Sequence, residues 1–598
     1  MLLHELLHKL RNGFCFDTET AGDKPGDALV IHSLALVGIS FAVTPWEAYY
    51  LPVPQEPKAA ASFVQQLAVV FSNPTIPKIG HNLKYDINVL RRYGVHVQGA
   101  LFDTMIAHYL CNPAGKHGLK SLSQELLNYQ QIEITHLIGK GKYQRSMRDI
   151  PTREVAVYAC EDADQTLQLK NILEPMLAQK KLTQLFQVIE CPLIYVLADM
   201  EYTGIRVDAD LLGNVAAKVN EELITISKQL DELSGIAGFK PKSPAQLRGL
   251  LFIQLGLDSP TKTPTGNKST GKKVLQKLQH HHPIIPLILR YKELSSLKSH
   301  FLASLIAKIH PVTGRVHTSF RQATVITGRL SSSNPNLQNI PKATKLGQEI
   351  RKAFVPRDDA HVLVAADYSQ IELRVMAHFS QDPALIDAFN NGIDIHIATA
   401  SKIFGVPPEQ INSEGTQRRI AKTVNFGLNY MMSAASLAES IALATKTDVD
   451  VNKAKEYMDR YFEEFNGVAR YQKDAYFFAL EHGYSQTLFG RRRDVPDINS
   501  SISSKKNAAK RIAVNTPIQG SAADIIKKAM LVLHQELIRQ GFMAKMVLQI
   551  HDELVIDVPR SELDQVVPLI RYVMENVVKL DVPLVVDIGV GENWLEAH

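Results

Sequence analysis

The sequence has little cysteine and little tryptophan: four cysteines (Cys15, Cys111, Cys160 and Cys191) and two tryptophans in 598 residues. No two cysteines form a CxxC pair or a zinc spacing, which argues against a disulfide framework or a cysteine zinc site and fits a reducing compartment. No apolar run approaches the ~20 residues that a membrane helix needs, so no spanning segment is expected. The start, MLLHELLHKLRNG, carries His, Glu and Lys among its leucines and has no small-residue cleavage site. It predicts an amphipathic helix and not a secretory signal. Tandem repeats and long low-complexity linkers are also missing. The remainder is of ordinary composition, 45% hydrophobic and 21% charged, with enough apolar surface for several cores.

Acids are scarce in one segment. Between residues 240 and 330 there are fifteen Lys and Arg but only two acids, Asp258 and Glu293, so this segment carries +13 while the whole chain carries +5. A basic segment in an otherwise acidic chain fits a polyanion track with carboxylate-rich sites elsewhere. A solvated lysine-rich helical surface explains the count equally well.

Three regions follow from patterning. Residues 1 to about 180 mix strands and helices: ALVIHSLALVGISFAV is strand-like with a turn inside it, and DINVLRRYG is a helix ending at Gly94. Helical patterns dominate from about 185 to 320, interrupted at 259–273 by SPTKTPTGNKSTGKK, a flexible basic loop or tip. Beyond about 320, the β-rich pieces VLVAADYS and MVLQIHDELVIDV bracket a long helical span from about 383 to 540.

Four acids and a tyrosine form a first constellation. FCFDTET reads as a strand in which Asp17 and Glu19, two apart, share a face. GHNLKYDINVL opens a helix near Asn82 and carries Asp86; VAVYACEDADQTLQL is helical, with Tyr158 and Asp162 one turn apart. Clustered carboxylates repel, and hard divalent cations supply the counter-charge that would hold them together. Two such ions can activate a water and stabilise the leaving oxygen of a phosphodiester, with Tyr158 placed to hold the water. Each piece alone is matched by ordinary solvated helix acids; the ordered set is not.

The second constellation pairs acids with cations. VLVAADYSQIELRVMAH is an apolar strand ending in Asp367, and MVLQIHDELVIDV is a strand–turn–strand with Asp552 and Glu553 at the turn. Ordinary hairpin turns also favour Asp. They do not explain RRIAKTVNFGLNY, which spaces Arg418, Lys422, Phe426 and Tyr430 four apart, two cations and then two rings along one helical stripe. That order suits a triphosphate at one end and a sugar and base at the other.

With these motifs, TGRLSSSNPNLQNIP at 327–341 and RIAVNTPIQGSAADI at 511–525, the sequence resembles the family A DNA polymerases over the span of a Klenow-type large fragment. The first constellation resembles the proofreading 3′→5′ exonucleases with a tyrosine in their third motif. The resemblance implies an α/β and α+β multidomain fold. A ribonuclease H-like exonuclease domain at 1–180 would precede a right-hand polymerase domain at 181–598, with thumb about 190–320, palm about 321–380 and 541–598, and fingers about 381–540. It implies that Asp17, Glu19 and Asp162 hold one metal in the exonuclease site, and that Asp17 shares a second, with Asp86 nearby through water. In the polymerase site, Asp367 and Asp552 would bind two Mg²⁺ with the backbone carbonyl of Tyr368, and Glu553 would assist near the primer end. Arg418, Lys422 and His396 would grip the triphosphate, Lys422 also protonating pyrophosphate. Phe426 would pack on the sugar, Glu372 would exclude ribonucleotides, and Tyr430 would lie beside the templating base. Arg329, Gln519 and His551 would contact the primer–template minor groove, and Arg511 and Asn515 the template side.

Cofactors implied are two Mg²⁺ in each site, Mn²⁺ able to substitute. Partners implied are primer–template DNA, dNTPs and a single-stranded DNA 3′ end, bound by a monomer in the bacterial cytoplasm or nucleoid that serves repair and replication gap filling. The basic 240–330 segment would fall mainly on the thumb. The chain departs from the family pattern at Ala343, where an Arg is usual, and at Asn429 and Met431, where an aliphatic residue and a glycine are usual. Met at the glycine position is expected to sit within the helix and tune template handling. The family's 5′-nuclease domain is not in this sequence, and the start lies so close to the first motif that an opening strand is expected to be missing. A single-subunit RNA polymerase would carry Tyr at position 426 and lack Glu372. An RNA-trimming exonuclease would explain only residues 1–180, and an inactive DNA-binding scaffold would not keep every metal-ligand position.

Overall fold

The computed structural model describes residues 3–22, 31–259, 261–263, 265–342 and 344–598. They fall into two compact units: 1–203 with 320–332 and 364–589, and 204–319 with 333–363 and 590–598. Compactness therefore groups the segment 1–180 with most of the C-terminal half. Among the described residues no single helix is long and apolar enough to cross a membrane.

In the first unit, β1 (Phe14–Ala21), β2 (Ala35–Thr44), β3 (Glu47–Pro52), β4 (Lys78–Gly80) and β5 (Leu101–Asp103) form a sheet of order β3-β2-β1-β4-β5. β2 and β3 run antiparallel, whereas β4 pairs parallel to β1 and β5 parallel to β4. Alternation along β1 sorts its two faces. Phe14 and Phe16 pack edge-on against Phe71 at 5.3 and 4.9 Å. The other face turns Cys15 into a cluster with Ala163 and Leu167 of the helix Thr152–Gln179. Asp17 and Glu19 follow Cys15 on that face. Of the strand-like stretch 28–43, residues 28–30 lie outside the described residues, and the remainder is a 3₁₀ turn at Ile31–Ser33 followed by β2.

The rest of this unit centres on a four-stranded sheet whose strands run in the order Lys545–Ile550, Glu553–Pro559, His361–Tyr368, Val586–Gly591. Beside it lies the 37-residue helix Ser503–Arg539, which contains Pro517. Proline has no N–H to give to the carbonyl four residues back. That carbonyl, on Ala513, instead accepts from Ser485 Oγ at 3.2 Å. Ser485 belongs to a two-stranded hairpin, Tyr484–Gln486 with Arg492–Asp494, which interrupts the span expected to be helical throughout. Its short polar strands have no long apolar alternation, so periodicity does not reveal them.

The same hairpin brings Arg491 into a fully buried ion network. Lys527 Nζ donates to Glu190 Oε1 at 2.7 Å and Gln322 Nε2 to Glu190 Oε2 at 2.8 Å. Arg491 bonds Glu190 and holds Asp524 Oδ1 through Nε and Nη2 at 2.9 and 2.6 Å. Gly328, at φ +89°, lies against this guanidinium; a Cβ there would fall 2.6 Å from Arg491 Nε. Burial works against ionising Glu190, but Lys527 and Arg491 outweigh it and hold its carboxyl near 2.

The second unit is mostly helical. The helix Ala209–Ser234, capped by Asp208 and closed by Gly235 at φ 67°, is joined to Ile284–Leu297 by a two-pronged Arg290–Glu222 pair at 2.7 and 3.0 Å. Trp594 is buried edge-on to Phe354 under the Arg351 guanidinium, 3.8 Å from the ring centroid. Of the loop 259–273, residues 260 and 264 lie outside the described residues; Lys262 and Lys268 pair as an antiparallel bridge.

Removing one member of a buried ion group leaves the others uncompensated, at about 3–5 kcal/mol. Glu190→Ala is expected to lower the unfolding free energy by that amount in denaturant titration. A loss under about 1 kcal/mol would mean that the network is not what ties these segments together.

Candidate active sites

Asp17 and Glu19 of β1 meet Asp162 of the helix Thr152–Gln179, one carboxylate oxygen from each lying within 4.8 Å of the others. Glu19 Oε1 is buried with no hydrogen-bond partner. Burial, then Asp86, Glu19 and Asp162, push the Asp17 carboxyl well above the carboxylate range. Glu19 is pushed up to about 8 by burial, then by Asp162 and Asp86, with Lys120 pulling the other way. Asp162 rises to about 7 through burial, offset by Lys120, Tyr158 and Gln131. An unpartnered buried oxygen amid three hard oxygen donors fits a divalent cation.

Asp86 stands at the edge of this trio. It lies in the first turn of the helix Leu83–Arg92, and its Oδ1 accepts from Thr18 N at 3.1 Å and Thr18 Oγ1 at 2.5 Å. Burial raises it to about 7 despite those bonds. Asp103, by contrast, caps backbone N–H groups of Leu83, Met105 and Ile106, and Asp164 accepts from Trp46 N. Gln131, which donates to Asp162 Oδ1 at 2.7 Å, and Lys120 are not visible from sequence spacing, because both come from segments with no motif of their own.

The second group is built on the four-stranded sheet. Asp367 sits one residue before the end of His361–Tyr368, and its carboxylate lies within 4.8 Å of that of Glu553, which opens the neighbouring strand. Tyr368 N donates to the Asp552 backbone carbonyl at 3.1 Å, so the turn lies against the end of the strand that carries Asp367, and the turn carboxylate within 4.8 Å of Asp367 is that of Glu553. Asp552 is raised by burial and lowered by Arg329, whose Nη2 is 3.8 Å from Oδ1. Arg329 Nη2 also donates to Glu372 Oε1 at 2.7 Å, and the Tyr430 hydroxyl donates to Glu372 Oε2. Tyr430, at the end of the cationic helix, is thus tied to the acid turn through Glu372 and Arg329.

The helix Thr416–Asn429 carries the stripe as spaced, with Lys422 exposed and Arg418, Phe426 and Tyr430 half-buried. Arg418 is held by Asp394, Nε at 3.0 Å and Nη2 at 2.7 Å. Burial opposes ionisation of Asp394, but Arg418 and the N–H groups of Ile397 and His396 keep its carboxyl below the ordinary range. His396 is buried and pushed down to about 4, hence neutral near pH 7. Asn425 Nδ2 donates to its Nδ1 at 2.9 Å, which leaves the proton on Nε2. On the helix Ser503–Arg539, Arg511, Asn515 and Gln519 follow one another at four-residue spacing; Arg511 is exposed, Asn515 and Gln519 are half-buried, and Asn515 Oδ1 is buried without a hydrogen-bond partner. Arg329 and His551 line one cavity of about 20 Å³ with Lys527 and Gln549.

The departures resolve in part. Ala343 lies outside the described residues. Asn429 is buried, and both its amide atoms are without hydrogen-bond partners. The pattern places Met431 inside the helix, but it lies beyond the helix end. The helix ends at Asn429, Tyr430 caps it, and Met431 follows at φ 51°. Met431 N bonds Leu428 O at 3.1 Å and Met432 N bonds Gly427 O at 2.9 Å. This is the Schellman closure, whose left-handed residue is usually glycine.

A sheet-borne carboxylate trio and a second acid pair tied to a cationic helix stand as two separate sites in one compact unit. Comparison with known proteins gives the family. The pattern of DNA polymerase family A matches residues 209–596, and that of the 3′-5′ exonuclease matches residues 1–178. The sequence is 42% identical to the DNA polymerase I of Pseudomonas aeruginosa, covering 98% of this chain and 63% of that protein. It is 41% identical to that of Chloroflexus aurantiacus, covering 99% and 62%. The chain thus spans under two thirds of the length of these relatives. A solved structure, the POL domain of Pol1 from M. smegmatis in complex with DNA primer-template and dNTP, superposes with a TM-score of 0.86 at 31% identity, covering 100% of this chain and 98% of that one. The chain belongs to DNA polymerase family A.

A side chain with a Cβ in the left-handed region costs roughly 1–2 kcal/mol. Met431→Gly is therefore expected to raise unfolding stability by about 1 kcal/mol, read as a higher melting temperature. A lower melting temperature would show that the Met431 side chain contributes more by packing than its backbone loses.

Proposed function

We propose that this chain is a DNA-templated DNA polymerase with a proofreading 3′→5′ exonuclease, adding dNTPs to a primer 3′ end. The observation that carries the reading is the chain of contacts Tyr430–Glu372–Arg329–Asp552, which fastens a cationic helix to a carboxylate turn. That arrangement suits one substrate held at its phosphates by the helix and reacting at the acids. The Pol1 neighbour, solved with primer-template and dNTP, supports the same pair of substrates here.

In the polymerase site Asp367 and Asp552, with the Tyr368 carbonyl and Glu553 beside them, would hold two Mg²⁺, with Mn²⁺ able to substitute. In the exonuclease site Asp17, Glu19 and Asp162 would hold the ions, with Asp86 at their edge. Bound there, such ions lower the pKa of an attacking oxygen and neutralise charge on the leaving one. Arg418 and Lys422 bind the triphosphate, and Nε2–H of neutral His396 adds a donor. Lys422, exposed and cationic, is placed to give a proton to pyrophosphate. Phe426 lies against the sugar, with Glu372 at its 2′ side and Tyr430 by the templating base. Arg329, Gln519 and His551 face the minor groove, where every base pair offers acceptors, and Arg511 and Asn515 the template. In the exonuclease site Tyr158 orients the water.

The segment 1–180 is read as the exonuclease domain and 181–598 as the polymerase domain, with thumb, palm and fingers as bounded from the sequence. The basic segment 240–330 suits duplex phosphates. The protein is read as a monomer of the bacterial cytoplasm, serving repair and replication gap filling.

Losing one carboxylate of such a site removes several kcal/mol of transition-state stabilisation, about a hundredfold in rate or more. Asp367→Ala is expected to abolish primer extension and leave primer degradation near the parent rate, and Asp17→Ala to do the reverse, in gel assays with and without dNTPs. Loss of both activities in a folded Asp17→Ala protein would contradict two separate sites. Glu372→Ala, in an Asp17→Ala background, is expected to raise CTP use relative to dCTP at least about tenfold, equal to about 1.4 kcal/mol of discrimination. An unchanged ratio would place sugar selection elsewhere.

A further inference from the structure

The exonuclease trio has a cation that its motifs do not include. Lys120 lies in the first turn of the helix Leu119–Leu126, with its side chain about 29% exposed. Its Nζ donates to the Ile132 carbonyl at 2.5 Å and sits 5.3 Å from the centroid of the Tyr158 ring. Glu133 Oε2 is 3.5 Å away. The segment it grips is itself fastened to the catalytic helix: Gln131 to Asp162 at 2.7 Å, Ile132 N to Glu161 at 2.8 Å, and the Tyr129 hydroxyl to Glu161 at 2.9 Å. A surface lysine left to solvent would have neither a ring face nor a docked carbonyl to hold it.

We propose that Lys120 is a positioning residue of the exonuclease site: its ammonium fixes the Tyr158 ring and offsets the combined negative charge of Glu19 and Asp162. The proposal rests on the exonuclease reading above. A positive charge 5.3 Å from the ring of Tyr158, one helical turn from Asp162, weakens the attraction of the trio for a divalent cation, because like charges repel. It also holds the ring that orients the water, and orientation governs the rate. The two effects have opposite consequences when the charge is removed. Cation affinity should rise while turnover falls, whereas a residue that merely braces the fold would lose both together.

The test uses the whole chain. In an Asp367→Asn/Glu553→Gln background, so that the exonuclease site reports, Mn²⁺ binding is measured by titration calorimetry for Lys120, Lys120→Met and Lys120→Arg. Separately, primer degradation and extension are measured in the parent and the same Lys120 variants. Lys120→Met should bind Mn²⁺ at least about threefold more tightly and degrade primer at least tenfold more slowly, with extension unchanged. Lys120→Arg should stay near the parent in both. Weaker or unchanged Mn²⁺ binding by Lys120→Met, or degradation at the parent rate, overturns the proposal, and so does a loss that Arg does not rescue. Asp17→Ala is the control for the underlying reading: degradation that survives it would refute the exonuclease assignment itself, whatever Lys120 does.

Discussion

Carboxylates forced together where little water reaches them repel one another, and each pays a desolvation cost on ionising. That constraint organises this molecule. Asp17, Glu19 and Asp162 are held within 4.8 Å of one another, a placement that flexible loops would relax. The fold prevents relaxation by putting two of them on a central strand and the third on a 28-residue helix packed across it. Phe14 and Phe16 anchor the opposite face of that strand, so it cannot turn its acids away.

The second site meets the same constraint by pairing. Glu372 is buried, yet Tyr430 and Arg329 both donate to it, and Arg329 reaches Asp552 as well. Behind Arg329, Gly328 lies against Arg491, itself fixed by Glu190 and Asp524. The residue that faces the acids therefore stands on a buried ion network joining residue 190 to residues 491, 524 and 527. Long-range pairs of this kind tie the stretch near residue 190 to residues beyond 364 within the same compact unit. In the helix Thr416–Asn429 the sign is reversed: Arg418 is kept in place by an acid, Asp394, and Lys422 is left exposed.

What was legible in the sequence is what local periodicity encodes. Alternation put Asp17 and Glu19 on one face, one helical turn joined Tyr158 to Asp162, and four-residue spacing laid out Arg418, Lys422 and Phe426. The strand–turn–strand at 546–558 was legible because apolar residues flank its acids. Lys120, Gln131 and Asp394 were not, since each reaches its partner only through tertiary contact. The hairpin at 484–494 was hidden by strands too short and polar to show a period. Met431 was misplaced inside the helix because the pattern continues past the residue where the backbone turns left-handed.

The fold holds the Asp17, Glu19 and Asp162 carboxylates together against their repulsion, which a bound cation would relieve. Groups with raised folded pKa values leave stability intact below the ordinary carboxyl range and cost it as pH rises through the folded values. Those values are about 7 for Asp162 and about 8 for Glu19. The penalty is therefore complete near pH 9. The most direct measurement is the melting temperature at pH 9 of the parent and of Glu19→Gln/Asp162→Asn, in chelator and in Mg²⁺. The account predicts that the variant melts above the parent in chelator, and that Mg²⁺ raises the parent more than the variant. A variant that melts at or below the parent in chelator would contradict it.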